Sequence, residues 1–234
     1  MIATPPTLVL VHGAWHGSWT WDRLVMQLDG IRVRRVDLPS VNADPALLGD
    51  MYDDAALIRE TVSGIDGPAV ICAHSYGGIP ASEGAADLPN LTGLVYLCAF
   101  QLDAGESLAS ALNGPPPDWQ DLHPDQGYSD ALRPEQIFYA DVDPDLATWA
   151  ATRLAHQSLA ALTQPQTRAA WRKVPSTYIV CEHDQAIPVA AQEAMSRRAA
   201  KTLRLPTSHS PFLADPSRLA DLLRAELAAL GSRP

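Results

Sequence analysis

The segment Ala73-His74-Ser75-Tyr76-Gly77-Gly78 follows the apolar run Ala69–Ala73 and precedes a helix-type stretch, Ile79–Ala86. A strand, a tight turn and a helix form the setting of a nucleophile elbow, which lifts a serine oxygen above a sheet edge. Only small neighbours fit such a turn, and Gly77 and Gly78 provide the room. Ala73 stands where the usual G-x-S-x-G pattern has glycine, a mild departure because alanine is the smallest residue with a Cβ. A serine hydroxyl is a weak nucleophile; it needs a base, and the base needs an orienting carboxylate. Asp184 follows the apolar run Thr177–Cys181, and His209 follows Thr202–Leu205. Ser75, Asp184 and His209 therefore each fall just past the carboxyl end of a strand-type run, where side chains can converge. Asp103, beyond the run ending at Cys98, is the rival for the acid.

These residues need a scaffold, and the hydrophobic pattern describes one. Thr7–Val11 is a continuous apolar run, followed by a Gly-rich turn over His12–Gly17 and a helix near Trp21–Leu28. Arg32–Asp37 alternates as a strand does. Asp53–Ile65 has helical spacing, with Ile58, Val62 and Ile65 on one face beside Leu57. Gly67-Pro68 marks a turn. Ala69–Ala73, Leu94–Cys98, Thr177–Cys181 and Thr202–Leu205 read as strands, and Val189–Ala200 and Ser217–Leu230 as helices, with Ser217 the expected N-cap after Pro216. Strands alternating with helices predict an α/β fold: a mostly parallel sheet of about six strands, covered by helices on both faces. From Gln101 to about Arg172 no core strand is evident. The expected organisation is a core from residues 1–100 and 173–234 and a helical cap insertion over 101–172. An insertion there would cover the carboxyl ends of the strands, where open α/β sheets bind ligands.

The chain resembles the α/β-hydrolase superfamily, and within it the small esterase and hydroxynitrile-lyase branch that includes plant methylesterases and bacterial esterases. The resemblance rests on Leu8-Val9-Leu10-Val11-His12-Gly13-Ala14-Trp15-His16-Gly17-Ser18-Trp19, the Ser75 elbow, Tyr178-Ile179-Val180-Cys181-Glu182-His183-Asp184, and Ser208-His209-Ser210-Pro211-Phe212. It implies that Ser75 attacks an ester carbonyl, His209 shuttles the proton and Asp184 fixes the imidazole. It also implies an oxyanion hole made by the backbone N–H groups of Ala14 and Tyr76. The lyases carry a lysine directly after the catalytic histidine and a threonine at the position of Gly13. Ser210 and Gly13 occupy those places here, which favours ester hydrolysis over a hydroxynitrile lyase-like reaction. A third reading is a non-catalytic small-molecule receptor on a hydrolase scaffold.

Trp15, His16, Trp119, Trp149 and Phe212 are the candidates for the substrate pocket, and they point to an apolar or aromatic ester. His12 and His74 flank Gly13 and Ser75 and read as structural; His183 is expected to face away from the site, and His123 and His156 to be surface or structural residues. No G-x-G-x-x-G or P-loop follows a strand, and no C-x-x-C or H-E-x-x-H occurs, so neither cofactor nor metal is expected. The 234 residues carry 17 Lys and Arg against 27 Asp and Glu, a net charge of −10. That balance argues against nucleic acid and anionic membrane as partners. Leu8–Val11 is too short for a membrane span, and no basic residue precedes Arg23. Three cysteines, Cys72, Cys98 and Cys181, lie far apart in or at the end of apolar runs; buried thiols and a cytoplasmic location are expected. A homodimer is compatible with this reading.

Overall fold

The computed structural model describes residues 5–112 and 114–231. Six strands form one wholly parallel sheet in the order β10-β9-β5-β4-β1-β2. They are β1 (Thr7–Val11), β2 (Val33–Val36), β4 (Ala69–His74), β5 (Leu91–Leu97), β9 (Ser176–Cys181) and β10 (Lys201–Leu205). Every residue of β1, β4 and β9 is buried, as their unbroken apolar runs require when helices cover both faces. The edge strands differ. β2 exposes Arg34 and Arg35, and β10 exposes Lys201 and Arg204, charges that discourage pairing with another chain.

The chain moves outward from β1 to β2, then returns to place β4 on the other side of β1. Strand order therefore reverses between β1 and β4. At such a reversal open α/β sheets bind ligands, beside the loops that leave the carboxyl ends of the two strands. His12–Gly17 and Ser75–Gly77 are those loops.

The helix Met51–Ser63 begins two residues before the hydrophobic spacing suggests. Asp50 caps it, accepting from the amides of Tyr52 and Asp53 at 2.8 and 3.1 Å, while Asp53 accepts from the Asp50 amide at 2.9 Å. The last helix, Pro216–Gly231, is capped by Asp215 in place of Ser217. Asp215 accepts from the Arg218 amide at 3.1 Å, and Pro216 takes the first helical position, where no amide is needed.

Among the described residues, the insertion between β5 and β9 adds no strand to the main sheet, but it is not wholly helical. β6 (Gln120–His123), β7 (Tyr128–Ala131) and β8 (His156–Ser158) form a small antiparallel sheet. This sheet is completed by β3 (Val41–Asn42), which comes from the first hundred residues. Its strands are short and half polar, so they show neither long apolar runs nor clean alternation. Among the described residues, no helix is long and apolar enough to cross a membrane.

Candidate active site

Ser75 directly follows β4 with a backbone φ of +53°, a conformation that ordinarily costs a non-glycine residue about 1–3 kcal/mol. The surroundings fix it. The Phe100 amide donates to the Ser75 carbonyl at 3.0 Å. A Cβ on Gly77 would stand 2.4 Å from the His12 carbonyl oxygen, and one on Gly78 would stand 2.5 Å from that of Phe100. Both glycines are thus required by close backbone approach. Gly13 is as constrained, since a Cβ there would lie 2.8 Å from the Cβ of Ser75.

Asp184 and His209 meet beyond β9 and β10. Nδ1 of His209 lies 2.7 Å from Oδ2 of Asp184, with both side chains buried. A carboxylate only accepts, so Nδ1 carries a proton, and in the neutral ring Nε2 is then the nitrogen with the lone pair. Three further donors hold the carboxylate: the amides of Ala186 and Ile187 bind Oδ1 at 2.7 and 2.9 Å, and the Gln192 side chain binds Oδ2 at 2.9 Å. Asp103 is engaged elsewhere. Arg172 binds it, with Nε at 2.7 Å, and holds its carboxyl below the usual range.

His74 supports this arrangement from below. Its Nε2 lies 2.8 Å from the His209 carbonyl and donates to it, so the residue before Ser75 fixes the backbone of the histidine loop. Burial lowers the pKa of His74 well below the ordinary value and favours the neutral ring. Burial lowers the pKa of His12 as well, and its contacts fit the neutral ring: Nδ1 donates to the Gly13 carbonyl at 2.8 Å and Nε2 accepts from the Leu38 amide at 3.0 Å. Among the described residues, His74, Cys98 and His209 bring potential metal-binding atoms within 4.8 Å of one another. The set suits a metal poorly. The Cys98 thiol is pushed well up by burial, His74 Nε2 is committed to a carbonyl and His209 Nδ1 to Asp184.

A small cavity of about 30 Å³ brings Ser75 and His209 together with Ala14 and Tyr76. Trp15 and Trp119 line it and meet edge to face at 5.6 Å. The other three pocket candidates lie outside the lining. His16 turns to the oxyanion loop and to Tyr139: Nδ1 donates to the Ala14 carbonyl at 2.7 Å and Nε2 accepts from the Tyr139 hydroxyl at 2.8 Å. Burial pushes its pKa down to about 3. Phe212 packs behind the site, its ring 4.9 Å from those of Trp21 and His74. Trp149 is 42% exposed; it meets Trp19 edge to face at 5.4 Å, with the Arg153 guanidinium over its ring. His183 is exposed; His156 sits in the small sheet, 2.7 Å from Asp130, and His123 stacks on Tyr128 there.

Sequence reasoning missed Phe100, Leu108, Phe138 and Ile187, all of which line the cavity. Phe100 lies just past β5, and Ile187 three residues after Asp184, so position at a strand's carboxyl end was a usable signal for both. Leu108 and Phe138 lie in the insertion, with no periodic pattern to mark them.

A buried chain of hydrogen bonds joins the two loops. The Trp15 amide donates to Gln157 at 3.3 Å, Gln157 donates to the Ser40 hydroxyl at 3.1 Å, and the Ser40 amide donates to Asp54 at 2.8 Å. The Tyr76 hydroxyl completes it, donating to the other Asp54 oxygen at 2.6 Å. Trp15 is tied further to the insertion, with its indole N–H 2.9 Å from the Ser129 carbonyl and its carbonyl 2.9 Å from the Ala155 amide.

The model of the alpha/beta hydrolase family matches residues 8–222. The chain belongs to the α/β-hydrolase family. Its relatives include an alpha/beta hydrolase, nvfD, of Aspergillus novofumigatus, 30% identical over 94% of this chain and 95% of that one. Methylesterase 7 of Arabidopsis thaliana is 29% identical over 92% and 94% of the two chains. A solved structure of a pyrethroid hydrolase superposes on this α/β hydrolase with a TM-score of 0.83 at 23% identity, covering 97% and 99% of the chains.

Proposed function

We propose that this α/β hydrolase cleaves carboxylic esters through a covalent acyl-enzyme on Ser75. The observation that carries the reading is the 2.7 Å contact of His209 Nδ1 with a buried, fully engaged Asp184, on a cavity that Ser75 also lines. With Nδ1 protonated, Nε2 is the nitrogen able to accept the serine proton. The serine oxygen then bonds to the ester carbonyl carbon. The resulting oxyanion is held by the amides of Ala14 and Tyr76, and loss of one such donor typically costs about 10²–10³ in turnover. As the tetrahedral intermediate collapses, the imidazolium returns the proton to the departing alcohol. Water, deprotonated by His209, attacks the acyl-enzyme; the acid leaves and Ser75 recovers its proton.

The names of the relatives support an ester substrate, since they include methylesterases and a pyrethroid hydrolase. Trp15, Trp119 and Phe138 around the cavity support an uncharged, apolar one. The lyase alternative has no support from the site: Ser210 supplies no cation after His209, and a side chain on Gly13 would collide with Ser75. Three buried free cysteines support a reducing compartment such as the cytoplasm.

A serine-directed fluorophosphonate and an ester panel test the reading. Ser75 is expected to be labelled, and both labelling and ester turnover are expected to vanish in Ser75→Ala. Labelling that persists in Ser75→Ala removes the nucleophile, and labelling without turnover favours the receptor reading.

A further inference from the structure

The cavity at Ser75 is too small for most ligands. Its volume of about 30 Å³ compares with roughly 10–15 Å³ for a single water on the same measure, and with roughly 300–1,000 Å³ for ordinary ligand pockets. It holds a reacting carbonyl and a group of one or two carbons, but not two substantial arms of an ester. Directly beside it runs a groove of about 340 Å³. Phe100, Leu112, Ala186 and Ile187 line both spaces and so form a wall between them. Ile187 belongs to the turn whose amides hold Asp184, which fixes one side of this wall to the acid. Leu112, 36% exposed just past the short helix Leu108–Ala111, is the member of the wall with most freedom to turn aside.

The rest of the groove is apolar, with Leu102, Ala191 and Met195 among its walls, except for the paired Glu106 and Arg198. Its one cation, Arg198, is spent: it binds Glu106 through both nitrogens at 2.6 and 2.9 Å and donates to the Gln101 carbonyl at 2.8 Å. The groove therefore offers an occupant contact area and no unpaired charge.

We propose that cavity and groove form one asymmetric ester site, in which the inner cavity takes the carbonyl with a substituent of one or two carbons and the groove takes a long, neutral, apolar arm. The proposal rests on the ester-hydrolase reading above. It makes the substrates acetate esters of large apolar alcohols or methyl esters of large apolar acids, as opposed to esters with two arms of middle length.

Three isomeric esters of equal carbon number test this: octyl acetate, methyl nonanoate and pentyl pentanoate. At least one of the first two should exceed pentyl pentanoate in kcat/KM by about tenfold or more. Ala191→Trp, on the exposed groove-facing side of the helix Val189–Ser196, should lower the ratio of kcat/KM for that ester to that for ethyl acetate by about tenfold. Ala190→Trp, exposed on the same helix outside the groove, should leave the ratio unchanged. Equal cleavage of the three isomers overturns the proposal, as does a ratio untouched by Ala191→Trp. If every ester is inert and Ser75 takes no fluorophosphonate, the hydrolase reading falls and the proposal falls with it.

Discussion

The Tyr76 hydroxyl donates a 2.6 Å hydrogen bond to Asp54, a buried carboxyl on the helix Met51–Ser63 that has no place in the ester chemistry. Tyr76 follows Ser75 directly. Asp54 also receives the Ser40 amide, and through Ser40 and Gln157 it reaches the amide of Trp15, next to Ala14. The two loops expected to supply the oxyanion amides thus share one buried polar support.

That support predicts a pH dependence of stability. Burial raises the Asp54 carboxyl to about 7, although the hydrogen bonds from Ser40 and Tyr76 favour its ionised form. A carboxyl whose folded pKa lies above its unfolded value binds more protons when folded. Its contribution is therefore fully present below the unfolded value of about 3.9 and is lost as pH rises through about 7. The unfolding free energy from urea titrations between pH 4 and 8 should fall across that window, by an amount on the order of a few kcal/mol. Asp54→Asn, which keeps the shape and can still hydrogen-bond both partners, should flatten the slope. An unchanged slope in Asp54→Asn assigns the titration to another group.

In the proposed mechanism Asp184 acts through the imidazole of His209. Asn at this position can donate to Nδ1 and so stabilise the tautomer with the proton on Nε2, the wrong nitrogen for a base. Asp184→Asn should lower kcat by about 10³–10⁴. The circular dichroism spectrum should stay native. Because Arg172 already occupies Asp103, turnover should not be rescued from that side; full activity in the variant would reassign the acid.

Gly13→Ala sets one methyl group 2.8 Å from the Ser75 Cβ and 2.9 Å from Nδ1 of His74. The serine must shift by several tenths of an ångström. The expected cost is about 1–3 kcal/mol of stability, from overpacking, with a fall in kcat larger than the change in KM. Steady-state kinetics beside thermal melts separate the two effects. Wild-type kcat in Gly13→Ala would show that the elbow tolerates displacement.

The sequence was most legible where burial is complete. β1, β4 and β9 are hidden on both faces, so their apolar runs mark them without reference to the rest of the chain. Ser75 and Asp184 follow from that, since each lies just beyond such a run, whereas His209 follows β10, an edge strand that is largely exposed. The starts of helices were less legible, because Asp50 and Asp215 act through local hydrogen bonds that hydrophobic spacing does not record. β6, β7 and β8 escaped notice because half-exposed strands of three or four residues carry too few positions to form a pattern.

The sequence alone determined the fold class, the elbow and the order of the three polar residues, because local burial and chain order are written along one dimension. The direction in which a side chain points is not. Phe212 and Trp119 are both aromatic residues near plausible site segments, yet Phe212 packs against Trp21 behind His74 while Trp119 lines the cavity. Likewise, nothing in the order of residues joins Tyr76 to Asp54 to Gln157, or sets a groove against the wall formed by Phe100 and Ile187. Those relationships arise only when strands distant in sequence are brought side by side and the insertion folds down over their carboxyl ends, since contact between such residues depends on packing in three dimensions.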